Sequence, residues 1–474
     1  MIKNIQKEKA DASVVVKSGI WFTLCNILTK GIGFFTTPIF TRLLTKSEFG
    51  DYNNFTTWTG IILFITSLNL ESSFIRARFD YKDDLDSYIV SMICLSSLST
   101  IIWFVLFVIF INPAQQFLSL NREEIYAMFL YLMFYPIIQL YQTRERFEYR
   151  YKNTVTITLL VIVSTAILSV ALVLLMENRL LGRIMGTVIP IIIIGIILFL
   201  IIFHRRREIK IKYWSYALPF TLPFVPHLLS MYLLGSMDKI MIRYICGSED
   251  LALYSLAYTV GTIISLLITS MNNAFSPWLG EQLAKKEYNR IRKISVPYIS
   301  IFILFSIITV LITPEILLIL GGEGYLDAKY VIPQIFAGSL MQFIYCMYVN
   351  VEQFEKKTMG MAIASVIAAI FNYVTNYVFI NYYGYIAASY TTFFSYLLLM
   401  LLHMWLVWKI GRKEVFDNLK ILVLGVVGSL MLMSMNFFFK LIIVRYMLFL
   451  FIMGTTFFMI YRKRKIISCY IIRR

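Results

Sequence analysis

The sequence has 474 residues, of which 59% are hydrophobic and only 15% are charged. This composition excludes an ordinary soluble globular protein and indicates a polytopic membrane protein. The net charge of +17 raises the alternative of nucleic-acid binding, but the basic residues lie in the loops between apolar runs, so we assign them to membrane topology. Five scattered cysteines predict neither a disulfide framework nor a metal site.

Apolar runs of membrane-spanning length follow one another along most of the chain. About 20 such residues cross a hydrocarbon core of roughly 30 Å. A first set of six occupies residues 18–41, 54–75, 88–111, 125–142, 154–176 and 184–203, and a second set occupies 217–242, 253–275, 296–320, 330–351, 359–380 and 385–408. A shorter pair follows at 421–439 and 446–461. We predict an all-α protein with about 14 transmembrane helices, or 12 if the final pair does not span.

The basic residues predict the orientation of the chain. If the N-terminus is cytoplasmic, 33 of the 44 lysines and arginines fall in cytoplasmic segments and 9 in outer loops, with Lys30 and Lys239 inside spans. The positive-inside rule then places both termini in the cytoplasm, which requires an even number of spans. No signal-peptide cleavage pattern follows the first span, so we expect that helix to remain in the mature protein.

The two sets of six spans show a weak internal similarity. SEFGDYNNFTTWTGII follows the first span and SEDLALYSLAYTVGTII follows the seventh. Duplicated halves are common in transporters, where the substrate site lies at their interface. We therefore predict an N-terminal lobe at residues 1–208, a C-terminal lobe at 209–410, and an extra helix pair with a basic tail at 411–474.

Lys30 lies near the middle of the first span. It is about 11 residues from either end, some 16 Å at ~1.5 Å per residue, which is too far for its side chain to reach an interface comfortably. Helical spacing predicts that its face also carries Thr23, Asn26, Thr37 and Thr41. Such a cation needs water, a substrate, or a carboxylate partner, for which Glu71 and Asp238 are the candidates.

Polar stripes follow three further spans. The eighth span aligns Tyr258, Thr262, Ser265, Thr269, Asn272 and Ser276; the seventh aligns His227, Ser230 and Asp238; and the second aligns Thr57, Gly60, Ser67 and Glu71. Such stripes either line a polar path or join helices by hydrogen bonds, and uncharged ones more often do the latter. The seventh span also contains Pro219, Pro223 and Pro226, which predict a bent or broken helix. Broken helices at membrane depth often line a cavity, although a static kink is the alternative.

Several segments together resemble a known family. They are PIFTRLLTKSEFGDY, SLNLESSFIRARFDY, LPFTLPFVPHLLSMYLLGSMDKIMIRYICGSEDLALYSLAY and NYVTNYVFINYYGYIAASYTTFFSY. In this order they resemble the Wzx-type polysaccharide-biosynthesis flippases of the multidrug/oligosaccharidyl-lipid/polysaccharide (MOP) superfamily. The resemblance covers nearly all of residues 18–408. It implies two six-helix lobes around a central cavity that opens alternately to either side of the membrane.

The resemblance also implies a function. Flippases of this type move undecaprenyl-diphosphate-linked oligosaccharide repeat units, the precursors of O-antigen or capsule, across the inner membrane. The partners so implied are that lipid-linked substrate, membrane lipids, and a polysaccharide polymerase with its chain-length regulator, without nucleic acid. Flipping makes and breaks no bond, and the sequence has no phosphate-binding loop and no histidines at metal-ligand spacing, so we predict neither an enzyme nor a cofactor.

The candidate site residues follow from the chemistry of an anionic, sugar-bearing substrate. Lys30 is the first candidate for the diphosphate; Lys239 is either a second candidate or paired with Asp238. The other candidate substrate-binding residues are Asn26, Arg42, Arg76, Arg78, Thr262 and Asn272. Glu71, Asp238 and His227 are candidates for coupling to H⁺ or Na⁺, and Pro219, Pro223 and Pro226 for a hinge. The membrane potential is the alternative source of energy, at about 2.3 kcal/mol per charge per 100 mV.

Other functions remain alternatives at this point. Teichoic-acid or other polysaccharide exporters and drug or cation antiporters belong to the same superfamily, but a cation-drug site favours acidic residues where this chain has Lys30. An O-antigen polymerase or membrane glycosyltransferase is less favoured, because it needs a large outer loop and no predicted outer loop exceeds about a dozen residues.

Overall fold

The computed structural model describes residues 21, 31–148, 150–205 and 208–472, with the side chains of 205, 224, 227, 231, 234, 358, 459, 460 and 463–472 outside the description. Within this part of the chain every regular element is helical. The chain forms two compact units, Met1–Ser255 and Leu256–Arg474. The lobe boundaries predicted from the internal similarity, after residues 208 and 410, stay predictions.

The first unit contains ten helices and the start of an eleventh within the described ranges. The described part of α1 is 31–43. The others are α2 (Lys46–Thr66), α3 (Phe74–Asp80), α4 (Leu85–Ile109), α5 (Ile111–Leu118), α6 (Arg122–Phe147), α7 (Tyr151–Leu175), α8 (Arg179–Arg205), α9 (Ile211–Thr221), α10 (Phe224–Ile245) and α11 (Ser248–Ala284). Short 3-10 turns cover Leu70–Ser73 and Lys82–Asp84.

The second unit begins within α11 and continues through seven further helices. These are α12 (Tyr288–Leu311), α13 (Thr313–Gly321), α14 (Ile332–Phe354), α15 (Thr358–Tyr383), α16 (Tyr385–Lys409), α17 (Asn418–Phe438) and α18 (Ile442–Ile472), with a 3-10 segment at Glu323–Tyr330.

Ten helices in the described ranges are long and apolar enough to cross a membrane, and a bent pair makes an eleventh. The prediction of an all-α, multi-pass membrane protein is therefore confirmed. Whether the chain has 14 or 12 spans stays a prediction. Of the two predicted C-terminal spans, α17 meets these criteria and Ile442–Phe458 is a shorter apolar helix.

The second predicted span differs from its prediction. Thr45 caps α2 in a reciprocal capping box with Glu48, and the helix ends at Thr66. Leu68 and Asn69 then adopt left-handed backbone angles, with φ of 51° and 49°. The chain bends by 48° between Lys46–Thr66 and Leu70–Asp80. Glu71 thus lies in a 3-10 turn beyond the bend, and its predicted alignment with Thr57 and Gly60 on one straight helix was wrong.

The seventh predicted span is broken near its prolines, as the sequence predicts. Helix α9 ends at Thr221 and α10 begins at Phe224. Pro219 lies inside α9, Pro223 is the N-cap of α10, and Pro226 lies in its first turn. Proline lacks a backbone donor and obstructs the preceding turn, which explains the interruption.

Two apolar clusters hold the first unit together. One joins α4, α6, α8 and α9 around Tyr88, Ile138 and Tyr213; the other joins α2, α6 and α8 around Phe55, Met128 and Ile184. Lipid is as apolar as these side chains, so close packing and interhelical hydrogen bonds, more than transfer from water, stabilise such contacts.

In the second unit α14 is the central helix and packs against α16, α17 and α12. Its neighbours α15 and α16 form a hairpin through Gly384, whose φ of +68° suits glycine. The ninth predicted span was also wrong in detail, because it divides into α12 and α13. Glu315 lies in α13 and is bonded to Arg445 of α18, so this carboxylate joins two helices.

Candidate transport site

The face predicted around Lys30 is described in part. Lys30, Asn26 and Thr23 lie outside the described residues. Thr37 and Thr41 lie in α1, each 7% exposed. Their hydroxyl groups donate to the carbonyl oxygens of Gly33 and Thr37, at 2.6 and 3.0 Å. Hydroxyl groups in apolar helices commonly bond their own backbone in this way.

The three arginines predicted to bind substrate have different surroundings. Arg42 is exposed, and its Nη1 donates to the carbonyl of Pro38 at 2.7 Å. Arg76 is also exposed and forms an ion pair with Asp80, with a 3.3 Å separation. Arg78 donates to the carbonyl of Phe147 at 2.9 Å and lies over aromatic rings. Arg42 and Arg76 are thus accessible to an anionic head group, whereas Arg78 also joins α3 to the end of α6.

The predicted ion-coupling residues lie in the first unit. Asp238 is 1% exposed and accepts a hydrogen bond from the Tyr254 hydroxyl at 2.5 Å. Glu71 lies beside Thr143 and Arg146. Lys239 interacts with neighbouring Asp238, which agrees with the alternative that these two residues form a pair. The His227 side chain lies outside the described residues.

The polar stripe of the eighth predicted span lies on one uninterrupted helix, α11. Thr262 is half-buried, and its hydroxyl donates to the carbonyl of Thr259 at 2.7 Å. Asn272 accepts a hydrogen bond from the amide of Asn350 on α14 at 2.8 Å. Ser265 and Thr269 are exposed. Asn272 therefore has the helix-joining role that the sequence allows, and the lining of a polar path by the other members of the stripe stays a prediction.

Arg183 was not predicted as a candidate, because the hydropathy pattern places it in an outer loop, whereas in the structure it lies in α8. Its guanidinium lies 3.7 Å from the ring centroid of Phe40 and 4.3 Å from that of Tyr52. Nη1 donates to Ser169 at 2.5 Å, while Nε is buried without a hydrogen-bond partner. Among the described residues no carboxylate lies within 4.0 Å of it. Arg183 is therefore a cation held by aromatic faces and hydroxyl groups.

A second missed group is the buried pair of Glu352 on α14 and His403 on α16. Their side chains are 1% and 2% exposed, and Oε1 of Glu352 lies 2.8 Å from Nδ1 of His403. Tyr345 stacks on the imidazole with ring centroids 5.5 Å apart. The other carboxylate oxygen is buried without a hydrogen-bond partner. Helical periodicity predicts that each side chain faces the core of the second unit. It does not predict that the two side chains contact each other.

Ion pairs also join residues near the ends of the membrane-spanning helices. The ammonium group of Lys210 lies 2.6 Å from Asp84, which raises the pKa of Lys210. Glu355 similarly raises the pKa of Arg412, at 2.7 Å. These cations therefore stay charged at physiological pH and serve as fixed contacts.

Comparison with known proteins shows related sequences and folds. The family described as polysaccharide biosynthesis protein matches residues 15–283, and the MatE family matches 223–378. Lsg locus putative protein 1 of Haemophilus influenzae is 21% identical over 375 residues, which are 75% of this chain and 89% of that protein.

Two solved structures share the fold. One is the lipid II flippase MurJ in an inward closed conformation, with a TM-score of 0.69 and 15% identity over 94% of this chain and 100% of that one. The other is an inward-facing multidrug resistance MATE family transporter of the MOP superfamily, with a TM-score of 0.61 and 14% identity over 83% of this chain and 95% of that one.

Proposed function

Because the chain belongs to the polysaccharide biosynthesis protein family, we propose that it translocates undecaprenyl-diphosphate-linked oligosaccharide repeat units from the cytoplasmic to the outer leaflet. The units are precursors of O-antigen or capsule, and the translocation proceeds by alternating access in the inner membrane with both termini cytoplasmic. The chain is a transporter rather than an enzyme, with the MOP transporter fold.

The family match over residues 15–283 is the observation that carries the proposal. The chain also shares its fold along 94% of its length with a protein that flips lipid II. The proposed substrate needs hydroxyl and amide groups for its sugars and cations for its diphosphate. The candidates for these groups are Thr262 and Asn272 for the sugars, and Lys30, Arg42 and Arg76 for the diphosphate.

The MatE match to residues 223–378 favours a second candidate, export of cationic drugs. We prefer the lipid-linked substrate because the polysaccharide family matches more of the chain. The candidate cations also favour an anionic substrate, since a lysine in the binding cavity repels a cationic drug.

Reconstitution distinguishes the two functions. Proteoliposomes containing the purified protein are loaded with a fluorescent undecaprenyl-diphosphate oligosaccharide, and a membrane-impermeant quencher measures its movement between leaflets. We expect movement that needs the protein and increases when the potential favours transfer of the anion. Protein-dependent movement of ethidium without movement of the lipid-linked sugar contradicts the proposal and supports drug export.

The native host provides an independent test. Deleting the gene should leave lipid-linked repeat units on the cytoplasmic face, where periplasmic glycosidases cannot reach them, and the wild-type gene should restore access. Unchanged access in the deletion strain contradicts the proposed direction or substrate.

A further inference from the structure

A groove with basic residues at one end lies along the α15–α16 hairpin of the second unit. Its cavity volume is about 860 Å³, and its lining includes Lys356, Lys357 and Lys409. The lysines fall where the apolar spans Met359–Tyr383 and Tyr385–Lys409 begin and end. They are therefore placed at the depth of lipid head groups, while the groove continues toward the hydrocarbon core.

The three ammonium groups are available to an external anion. All three residues are exposed, and among the described residues none forms an ion pair within 4.0 Å. Lys409 lies over the ring of Trp405, 5.0 Å from its centroid. The one carboxylate in the lining, Glu352, is already bonded to His403. The basic end of the groove thus carries a net positive charge.

The walls below the lysines are apolar and open to the bilayer. Ile363 is 55% exposed and Trp405 is 49% exposed, although both belong to spanning helices. Farther along the same hairpin lies a second cavity of about 570 Å³, lined by aromatic residues such as Phe371, Phe379 and Phe394. A long apolar surface with cations at one end complements an acyl chain attached to an anionic head group.

We propose that this groove binds an anionic phospholipid of the membrane, with its phosphate at Lys356, Lys357 and Lys409 and an acyl chain along α15 and α16. Basic pockets between transmembrane helices are typical sites for such head groups. The site goes beyond the proposed translocation function, since it needs no transported substrate. A phospholipid at this position stabilises the hairpin from outside.

The test compares two triple variants in phosphatidylcholine nanodiscs with added phosphatidylglycerol. Lys356→Gln, Lys357→Gln and Lys409→Gln together should weaken retention of phosphatidylglycerol, measured by native mass spectrometry, by between about 10-fold and 100-fold. The matched control neutralises three other exposed lysines, Lys285, Lys286 and Lys293, and should leave retention nearly unchanged.

A second pair of variants tests the apolar part. Ile363→Trp fills the groove and should reduce retention, whereas Val366→Trp, at a position 45% exposed and outside the groove lining, should not. The phospholipid site is contradicted if the two triple lysine variants lose phosphatidylglycerol equally, or if the wild-type protein retains phosphatidylcholine as well as phosphatidylglycerol. It is also contradicted if undecaprenyl phosphate at equimolar concentration displaces the phosphatidylglycerol. None of these measurements depends on translocation, so failure here leaves the proposed function untouched.

Discussion

Lys30 is the residue on which the proposed mechanism depends most. If it binds the diphosphate, Lys30→Ala and Lys30→Glu should abolish translocation, while Lys30→Arg should keep part of it because the charge remains and the geometry changes. Translocation in proteoliposomes, normalised to protein amount, measures the effect. Lys17→Ala, outside the predicted span, is the control.

The alternative role for Lys30 is neutralisation of a carboxylate. In that case Lys30→Ala should be rescued by Glu71→Gln or Asp238→Asn. We expect no rescue, because Asp238 already accepts a hydrogen bond from Tyr254 and Glu71 lies beside Arg146. Recovery of transport in either double variant contradicts the substrate-binding role.

The pair of Glu352 and His403 provides a prediction about stability. Glu352→Ala leaves the buried imidazole without its hydrogen-bond partner, and a buried polar group that loses its partner costs about 1–3 kcal/mol. We expect a clear loss of thermal stability in detergent. Glu355→Ala, one turn later, removes only the partly exposed pair with Arg412 and should cost about 1 kcal/mol or less. Equal losses in the two variants contradict the importance of the buried pair.

At the residue scale, a charged residue inside an apolar run can be predicted from the sequence, whereas the residue that pairs with it cannot. Asp238 and Lys239 are visible as charges within an apolar run. Glu352 and His403 are 51 positions apart, and each lies near the end of its span, where a polar residue is ordinary. Their contact depends on how α14 packs against α16, which spacing within either helix does not determine.

At the element scale, the break between α9 and α10 provides a test of the hinge hypothesis. Pro223→Ala combined with Pro226→Ala restores backbone donors at the interruption. If bending there permits the conformational change of transport, translocation should fall several-fold while membrane abundance stays nearly unchanged. The control is Pro297→Ala, at an exposed position inside the continuous helix α12. Full activity of the double variant indicates a static kink.

Helix interruptions were predictable where the sequence provides a strong signal. Three prolines indicated the break before α10. No proline marks the bend after α2, where Leu68 and Asn69 take left-handed backbone angles. Asparagine tolerates the left-handed conformation, so Asn69 was the one residue that could have indicated the bend. Leucine does not favour this conformation, and the surrounding apolar run looks like a continuous helix. The helices themselves were predictable because hydrophobic runs of this length must satisfy their backbone within the membrane.

At the scale of the whole molecule, composition and hydropathy predict the class of protein and its many spans, while the number of spans depends on the weakest segments. Helix α17 meets the criteria for a span, and the apolar part of α18 is short. The positive-inside count requires an even number if both termini are cytoplasmic. The 14-span topology therefore predicts the location of every loop and of the C-terminal tail.

Single-cysteine labelling tests this topology in a variant whose five natural cysteines are replaced by serine. In intact spheroplasts an impermeant maleimide should label Asn381→Cys, in a predicted outer loop, and should label Lys286→Cys and Arg462→Cys only after permeabilisation. All three positions are exposed, so access depends on the side of the membrane. Labelling at Arg462→Cys as well as at Asn381→Cys, with Lys286→Cys still protected in intact spheroplasts, contradicts the even count, because the tail then lies opposite to the cytoplasmic loops. Labelling at Lys286→Cys and not at Asn381→Cys reverses the orientation, and with it the direction in which the membrane potential favours movement of an anionic substrate.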